Sequence, residues 1–196
     1  MLNRPKIFFY FQHILSGNYR RIRQVLGDEV HVQENQAVLE LACGTGNIAD
    51  LFDSVNYIGV DIDQGYIWFA KAQSQKEFLV ADVCQLCFSE RNFSWVIAVG
   101  LFHHLSDADT LSTMKEVQRV LNRGGQMVII DAIPPVSKLN ILGHILRKLD
   151  RGNYIRHIEQ YKRLFGEHFL IRSMYQYRNR RRPLDYCVFV LGQKPI

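Results

Sequence analysis

The segment Val38-Leu39-Glu40-Leu41-Ala42-Cys43-Gly44-Thr45-Gly46-Asn47 runs an apolar stretch into a glycine turn. Glycine at such a turn lets the backbone approach a ligand closely, because a Cβ would collide with it. Residues Gly44 to Ala49 satisfy the G-x-G-x-x-A form of the dinucleotide-binding fingerprint, a pattern that any tight strand-to-helix turn also produces. Three acids narrow the choice. Glu40, Asp61 and Asp82 each fall at the C-terminal end of an apolar run. The Asp61 carboxylate can accept from both hydroxyls of a ribose, Asp82 from an exocyclic adenine amine, and Glu40 can face an ammonium group directly or through water. Further along stand paired His103 and His104, then Asp131 at the end of another apolar run, and finally Arg178-Asn179-Arg180-Arg181-Arg182. An unperturbed histidine titrates near about pH 6.5, which suits proton transfer. The arginine run is either a solvated hairpin tip or an anchor for a carboxylate or phosphate.

The cysteines are Cys43, Cys84, Cys87 and Cys187. Cys84 and Cys87 form a C-x-x-C, half a zinc site or a redox pair, but no second ligand pair stands at zinc-finger spacing. Small free thiols in a reducing cytoplasm are expected. No bound metal is expected either, since no carboxylate and histidine cluster has ligand spacing.

These residues need a scaffold that brings strand ends to one edge. Strand patterns alternate with helical ones, the signature of an α/β domain with a mostly parallel sheet. Runs at 37–42, 57–61, 78–81, 94–99 and 126–131 read as five buried strands, with 169–177 and 186–191 as a closing pair. Helices are expected over 6–15, 19–26, 47–53 and 64–75. Leu111, Met114, Val117 and Leu121 recur at spacings of three and four, one buried helix face that Gly124-Gly125 ends. Leu139, Leu142, Leu146 and Leu149 mark a helix over 138–149 whose leucines are expected to pack on the sheet. With Lys138, Arg147 and Lys148 beside them, peripheral contact with an anionic membrane surface is the alternative. Ile155, Ile158, Tyr161, Leu164 and Phe165 mark a further helix. Phe8, Phe9 and Phe11 on the first helix either roof an apolar acceptor or fill the core. The C-terminal ends of parallel strands share the edge where open α/β folds bind ligands, which groups Glu40, Asp61 and Asp82.

Together these motifs resemble the class I S-adenosylmethionine-dependent methyltransferases, from about Val38 to Asp131 and more loosely through the last strand pair. ELACGTG resembles the family's glycine-rich first motif, YIGVDID its ribose-binding second and LVADV its adenine-binding third. WVIAVGLFHHL resembles the fourth strand and its loop, and EVQRVLNRGGQMVII the helix, glycine turn and fifth strand. The resemblance implies a Rossmann-like, doubly wound α/β fold with a seven-stranded sheet, mostly parallel with an antiparallel last strand, and helices on both faces. It implies S-adenosylmethionine as cofactor and S-adenosylhomocysteine as product. The implied cofactor-binding residues are Glu40, Ala42, Cys43, Gly44, Thr45, Gly46, Asp61, Ile62, Asp82, Val83, Val99 and Gly100. Ala42 departs from the glycine that commonly opens the first motif, and Arg123 from a frequent proline before Gly124-Gly125.

By the same resemblance His103 and His104 lie beside the transferred methyl group as candidate general bases, with Asp131 on the substrate side. The loop with Arg180, Arg181 and Arg182 comes to the cofactor edge, where it would meet an anionic acceptor. Absent after the fourth strand is the Asn/Asp-Pro-Pro-aromatic motif with which the family's DNA methylases, and many of its RNA or protein amide methylases, hold a planar amine. This favours an oxygen or carbon of a small-molecule acceptor. RNA methylation is the alternative. An NAD-dependent dehydrogenase shares only the glycine loop, and a non-catalytic module would show damage to the cofactor-facing residues.

A chain of 196 residues is expected to form one domain, with a helical cap over 1–30, a cofactor core over 36–135 and a substrate side over 136–196. Charge is split along it. Residues 1–30 carry five Lys/Arg against two Asp/Glu, residues 31–135 six against thirteen, and residues 136–196 thirteen against four. The acidic middle suits a cationic cofactor. The basic end suits an anionic acceptor or surface more than nucleic acid, since no aromatic residue interrupts Arg178 to Arg182. No apolar run reaches the roughly 18 residues of a membrane span. The short run Ile7-Phe8-Phe9-Tyr10-Phe11 lacks a following small-residue cleavage site, so a cytoplasmic location is expected.

Overall fold

Runs of branched and aromatic residues form seven strands: β1 (Ala37–Leu41), β2 (Asn56–Asp61), β3 (Glu77–Val80), β4 (Phe93–Val99), β5 (Leu121–Ala132), β6 (Phe169–Arg178) and β7 (Asp185–Gln193). The computed structural model describes residues 19–148, 152–178 and 183–194. The strands make one sheet in the order β3-β2-β1-β4-β5-β7-β6. Pairing is parallel from β3 through β5, and β7 is antiparallel to both β5 and β6. The expected mixed, mostly parallel sheet is thus present, with its sequence order reversing between β1 and β4.

Helices α1 (Arg20–Glu29), α2 (Gln64–Gln73), α3 (Asp107–Val120), α4 (Ile141–Lys148) and α5 (Ile158–His168) surround it. Alternate residues of a strand point to opposite faces, so each strand feeds two cores. Leu39, Leu41, Val96 and Ala98 join Met114 and Val117 of α3 and Tyr161 and Phe165 of α5 on one face. Val38, Trp95 and Ile97 join Val25 and Leu26 of α1 and Ile67 and Ala70 of α2 on the other. Two helices begin on side-chain caps that leave little freedom of register. Asp63 accepts from the N–H groups of Gly65 and Tyr66 ahead of α2, and Ser106 from that of Asp109 ahead of α3.

Three elements differ from the sequence expectation. Only one short 3-10 turn, Ala49–Phe52, forms where a helix is expected over 47–53, because Gly44 and Gly46 take left-handed conformations and leave the chain in a loop until Ile48. Strand β5 starts at Leu121, directly after α3, and passes through Gly124-Gly125; the pairing with β4 jumps from Phe93–Leu121 to Trp95–Gln126, so the glycines absorb a bulge where a helix stop was expected.

The third difference is α4, where Leu142, like Leu139 ahead of it, is exposed and not packed on the sheet; Leu146 is half-buried, and Leu149 lies outside the described residues. The buried residues of the helix are Gly143 and Arg147, while Ile141, Leu142 and Ile145 are exposed. Arg147 Nε donates to the Ile133 carbonyl at 3.1 Å and an Nη to the Asp185 carbonyl at 2.5 Å, and the guanidinium lies over the Tyr186 ring. Gly143 sits so close to Pro183 and Asn140 that a Cβ would overlap them. The sheet face beside β7 is already covered by α5, whose Tyr161 and Phe165 rings meet Phe189. The expected helix at 6–15 with Phe8, Phe9 and Phe11, and the arginines Arg180, Arg181 and Arg182, lie outside the described residues.

Candidate functional site

Where the strand order reverses, the loops after β1 and β4 leave in opposite directions and open a crevice at the carboxyl edge of the sheet. The loop after β1 carries Ala42 (φ 51°), Gly44 (φ 55°) and Gly46 (φ 76°), three left-handed residues within five. Gly46 also requires its missing side chain, since a Cβ would sit 3.0 Å from the Phe78 ring. The loop is tied to the sheet by the Cys43 N–H, which donates to the Val60 carbonyl at 2.9 Å, and by the Gly44 N–H, which donates to Asp61 Oδ2 at 2.8 Å. Cys43 and Thr45 are buried beneath it.

Asp61 closes β2 with Oδ1 accepting from the Asp63 N–H at 2.9 Å. Beyond these backbone N–H groups the carboxylate keeps acceptor capacity for a diol. Burial raises its carboxyl above the ordinary value, with the Asp63 and Gly44 N–H groups opposing the rise. Ile62 beside it is 72% exposed, a flat apolar surface next to the diol site. Asp82 follows β3, the neighbour of β2, with Oδ1 accepting from the Cys84 N–H, and Val83 is buried behind it. Val99 and Gly100 end β4 on the other side of β1, where the Gly100 N–H donates to the Ile130 carbonyl.

Glu40 lies within this crevice, 4% exposed and hydrogen bonded by the Tyr57 hydroxyl. Burial pushes its carboxyl up to about 8, against the Tyr57 hydrogen bond that favours the ionised form. A cation arriving beside it would restore the carboxylate. The donor set therefore fits S-adenosylmethionine: a carboxylate for the ribose, an apolar wall and an acceptor for the adenine, a glycine cradle, and a buried acid that a positive charge would ionise.

Beyond β4 the chain makes a second 3-10 turn, Phe102–His104. His103 Nδ1 donates to Asp131 Oδ1 at 2.6 Å, which makes Nε2 the basic nitrogen of the ring. Asp131 closes β5 and is 1% exposed; its Oδ2 accepts from the Phe102 N–H and its Oδ1 also from the Ala132 N–H, both at 2.6 Å. Burial alone would push Asp131 up, but the facing His103 and the two N–H groups outweigh it and hold the carboxyl below the usual carboxylate value. Asp131 thus stands behind His103, away from the open edge. His104 is exposed, its ring 4.1 Å from that of His103.

Three residues of this arrangement carry no signal in the sequence. Gly152 lies against His103, where a Cβ would overlap the ring at Cδ2, while Gly100 faces Cε1 on the other flank of Nε2. Buried Arg156 donates to the carbonyls of Phe102 at 2.8 Å and Leu105 at 2.7 Å and pairs with Asp107, so it spans the whole histidine turn. Tyr57 meets Glu40 from the next strand. Each acts across a gap in sequence that only the fold closes.

Residues 38–125 match the family described as "Methyltransferase domain". The chain is 31% identical over 121 residues to the probable tRNA methyltransferase 9B of Mus musculus, covering 61% of this chain and 26% of the mouse protein. It is 32% identical over 108 residues to the demethylmenaquinone methyltransferase of Thermotoga maritima, covering 53% of this chain and 46% of that protein. The chain thus spans less than half the length of these curated relatives. A solved S-adenosylmethionine-dependent methyltransferase of Methanosarcina mazei shares the fold with a TM-score of 0.69 at 18% identity, covering 86% of this chain and 96% of that one.

Proposed function

We propose, on the premise of the class I S-adenosylmethionine-dependent methyltransferase domain that this chain carries, that the protein methylates an oxygen or carbon of a small-molecule acceptor with His103 as general base. The observation that supports this most strongly is the buried Asp131–His103 pair just beyond the end of β4. A neutral amine brings its own lone pair and needs no base, whereas a hydroxyl or carbon acid must lose a proton.

S-adenosylmethionine, when bound, supplies a methyl group already activated by the sulfonium charge. Asp61 would hold the ribose hydroxyls, Ile62 would cover the adenine, Asp82 would accept from its amine, and Glu40 would face the positive end. The backbone of the loop over Ala42–Gly46 and of Val99-Gly100 would fix the donor's position. Holding donor and acceptor in line accounts for most of the barrier reduction in such displacements, up to about 7–11 kcal/mol in well-oriented systems. His103 Nε2 takes the acceptor's proton, and Asp131 keeps the ring in the tautomer that allows this and stabilises the imidazolium that results.

The relatives' names point to two acceptor classes, a quinone and tRNA. Val99-Gly100-Leu101-Phe102 stands after β4 in place of an amine-holding Pro-Pro motif, which favours the small molecule. The test is transfer of isotope-labelled methyl to reduced demethylmenaquinone, simpler phenols and carbon acids, and unmodified tRNA. Label on a small-molecule oxygen or carbon is expected; label on tRNA alone overturns the reading. His103→Ala should lower kcat by about 10²–10⁴ while leaving the dissociation constant for S-adenosylmethionine unchanged.

A further inference from the structure

We infer that the outward face of α4, together with the residues leading into it, is a docking surface for an anionic lipid bilayer. The face consists of Leu139, Ile141, Leu142 and Ile145, each more than half exposed, with Leu139 at 90%. Apolar side chains gain free energy by leaving water, and a contiguous cluster of them on a surface marks a place where something else is meant to lie. The helix cannot turn these side chains inward. Rotation would strip Arg147 from the Ile133 and Asp185 carbonyls and drive a side chain into Pro183 where only Gly143 fits. The fold therefore holds the apolar face outward.

Charge selects the occupant. Residues 136–149 contain Lys138, Arg147 and Lys148 and no Asp or Glu. Lys138 and Lys148 are exposed at the two ends of the apolar face, the arrangement by which an interfacial helix seats its apolar side among acyl chains and its cations among anionic headgroups. A second copy of this face would bring two strongly basic segments together. The chain's own residues 1–18 carry Arg4 and Lys6 and no acid, so they offer no charge complementary to Lys138 and Lys148. No helix among the described residues is long and apolar enough to cross a membrane, so the contact is with the bilayer surface. Helix α4 ends four residues before Gly152, which lies against His103, so the docking face is near the histidine turn in the chain. Docking goes beyond the proposed reaction and holds whichever acceptor is methylated.

The test is co-sedimentation of the full chain with phosphatidylcholine vesicles, with and without phosphatidylglycerol. Binding is expected to be about tenfold or more stronger with the anionic lipid and to weaken as salt is added. The triple variant Leu139→Ser, Leu142→Ser, Ile145→Ser should lose about a hundredfold in vesicle affinity, and Lys138→Gln with Lys148→Gln about thirtyfold. Both should keep the wild-type melting temperature and S-adenosylmethionine affinity, because these side chains face solvent. The proposal is overturned if anionic vesicles are not bound, or if the triple variant binds them as the wild type does. It is equally overturned if light scattering shows a dimer that the triple variant dissociates, or if binding appears only once residues 1–18 are removed. Titration of the same preparation with S-adenosylmethionine reports on the cofactor site separately.

Discussion

Glu40 is the residue at which burial and charge conflict most openly. Its folded value of about 8 against an ordinary 4.5 means the folded state holds a proton that the unfolded state has released. Its contribution to stability is full below pH 4.5 and is lost as pH rises through about 8. Glu40→Gln removes that loss, so the ligand-free variant should melt higher than wild type at alkaline pH and equally at acid pH, as a series of thermal melts would show. The same variant should bind S-adenosylmethionine more weakly, since it cannot ionise against a cation. Ala42 presents a different conflict. It holds a left-handed φ of 51° where a glycine would be at ease, and Ala42→Gly should stabilise the fold by about 1 kcal/mol in urea titration. Both residues are recognisable in the sequence, Glu40 as an acid at a strand end and Ala42 as an alanine in a glycine's place. The raised pKa was not legible, because it depends on the closure of the sheet around the carboxyl, which outweighs the opposing Tyr57 hydrogen bond.

The histidine turn is held by neighbours remote in sequence. Arg156 satisfies the carbonyls of Phe102 and Leu105, and Arg156→Met should cost about 2 kcal/mol by leaving them unpaired. Gly152→Ala tests positioning directly, because the added methyl meets the His103 ring at Cδ2 and the His103 carbonyl oxygen. It should lower kcat and flatten the histidine limb of the pH–rate profile while leaving cofactor affinity intact; a purely structural role would leave the profile's shape unchanged. Element identity was largely legible from periodicity, as α3 shows: its Met114 and Val117 are buried as the spacing of three and four requires. The failure at α4 has a physical cause. Leucines at helical spacing announce an apolar stripe, but which way the stripe faces depends on what else covers the sheet, and α5 had already taken that place while Arg147 and Gly143 fitted the inner side.

Across the whole molecule, the crevice draws on both halves of the sheet, with Asp61 and the glycine loop on the β1–β2 side and Val99, Gly100 and His103 on the β4–β5 side. A cofactor spanning it stabilises the folded chain as a unit. At about a hundred times its dissociation constant, S-adenosylmethionine should raise the melting temperature by about 5–10 °C, and NAD should not; equal shifts with NAD would contradict the donor set described. The split of charge along the chain matches this division, with the cofactor-side acids in the middle and the bases of α4 toward the end. The sequence by itself determined the strand–helix alternation, the glycine cradle and the three acids at strand ends, because period and backbone conformation are local properties that residue type dictates. The tertiary structure alone decided that Asp131 stands behind His103, that Gly152 meets that ring while Arg156 holds the turn that carries it, and that α4 turns Ile141, Leu142 and Ile145 outward. Those are matters of which surfaces meet, and contacts between residues 28 to 54 positions apart leave no trace in the order of the chain.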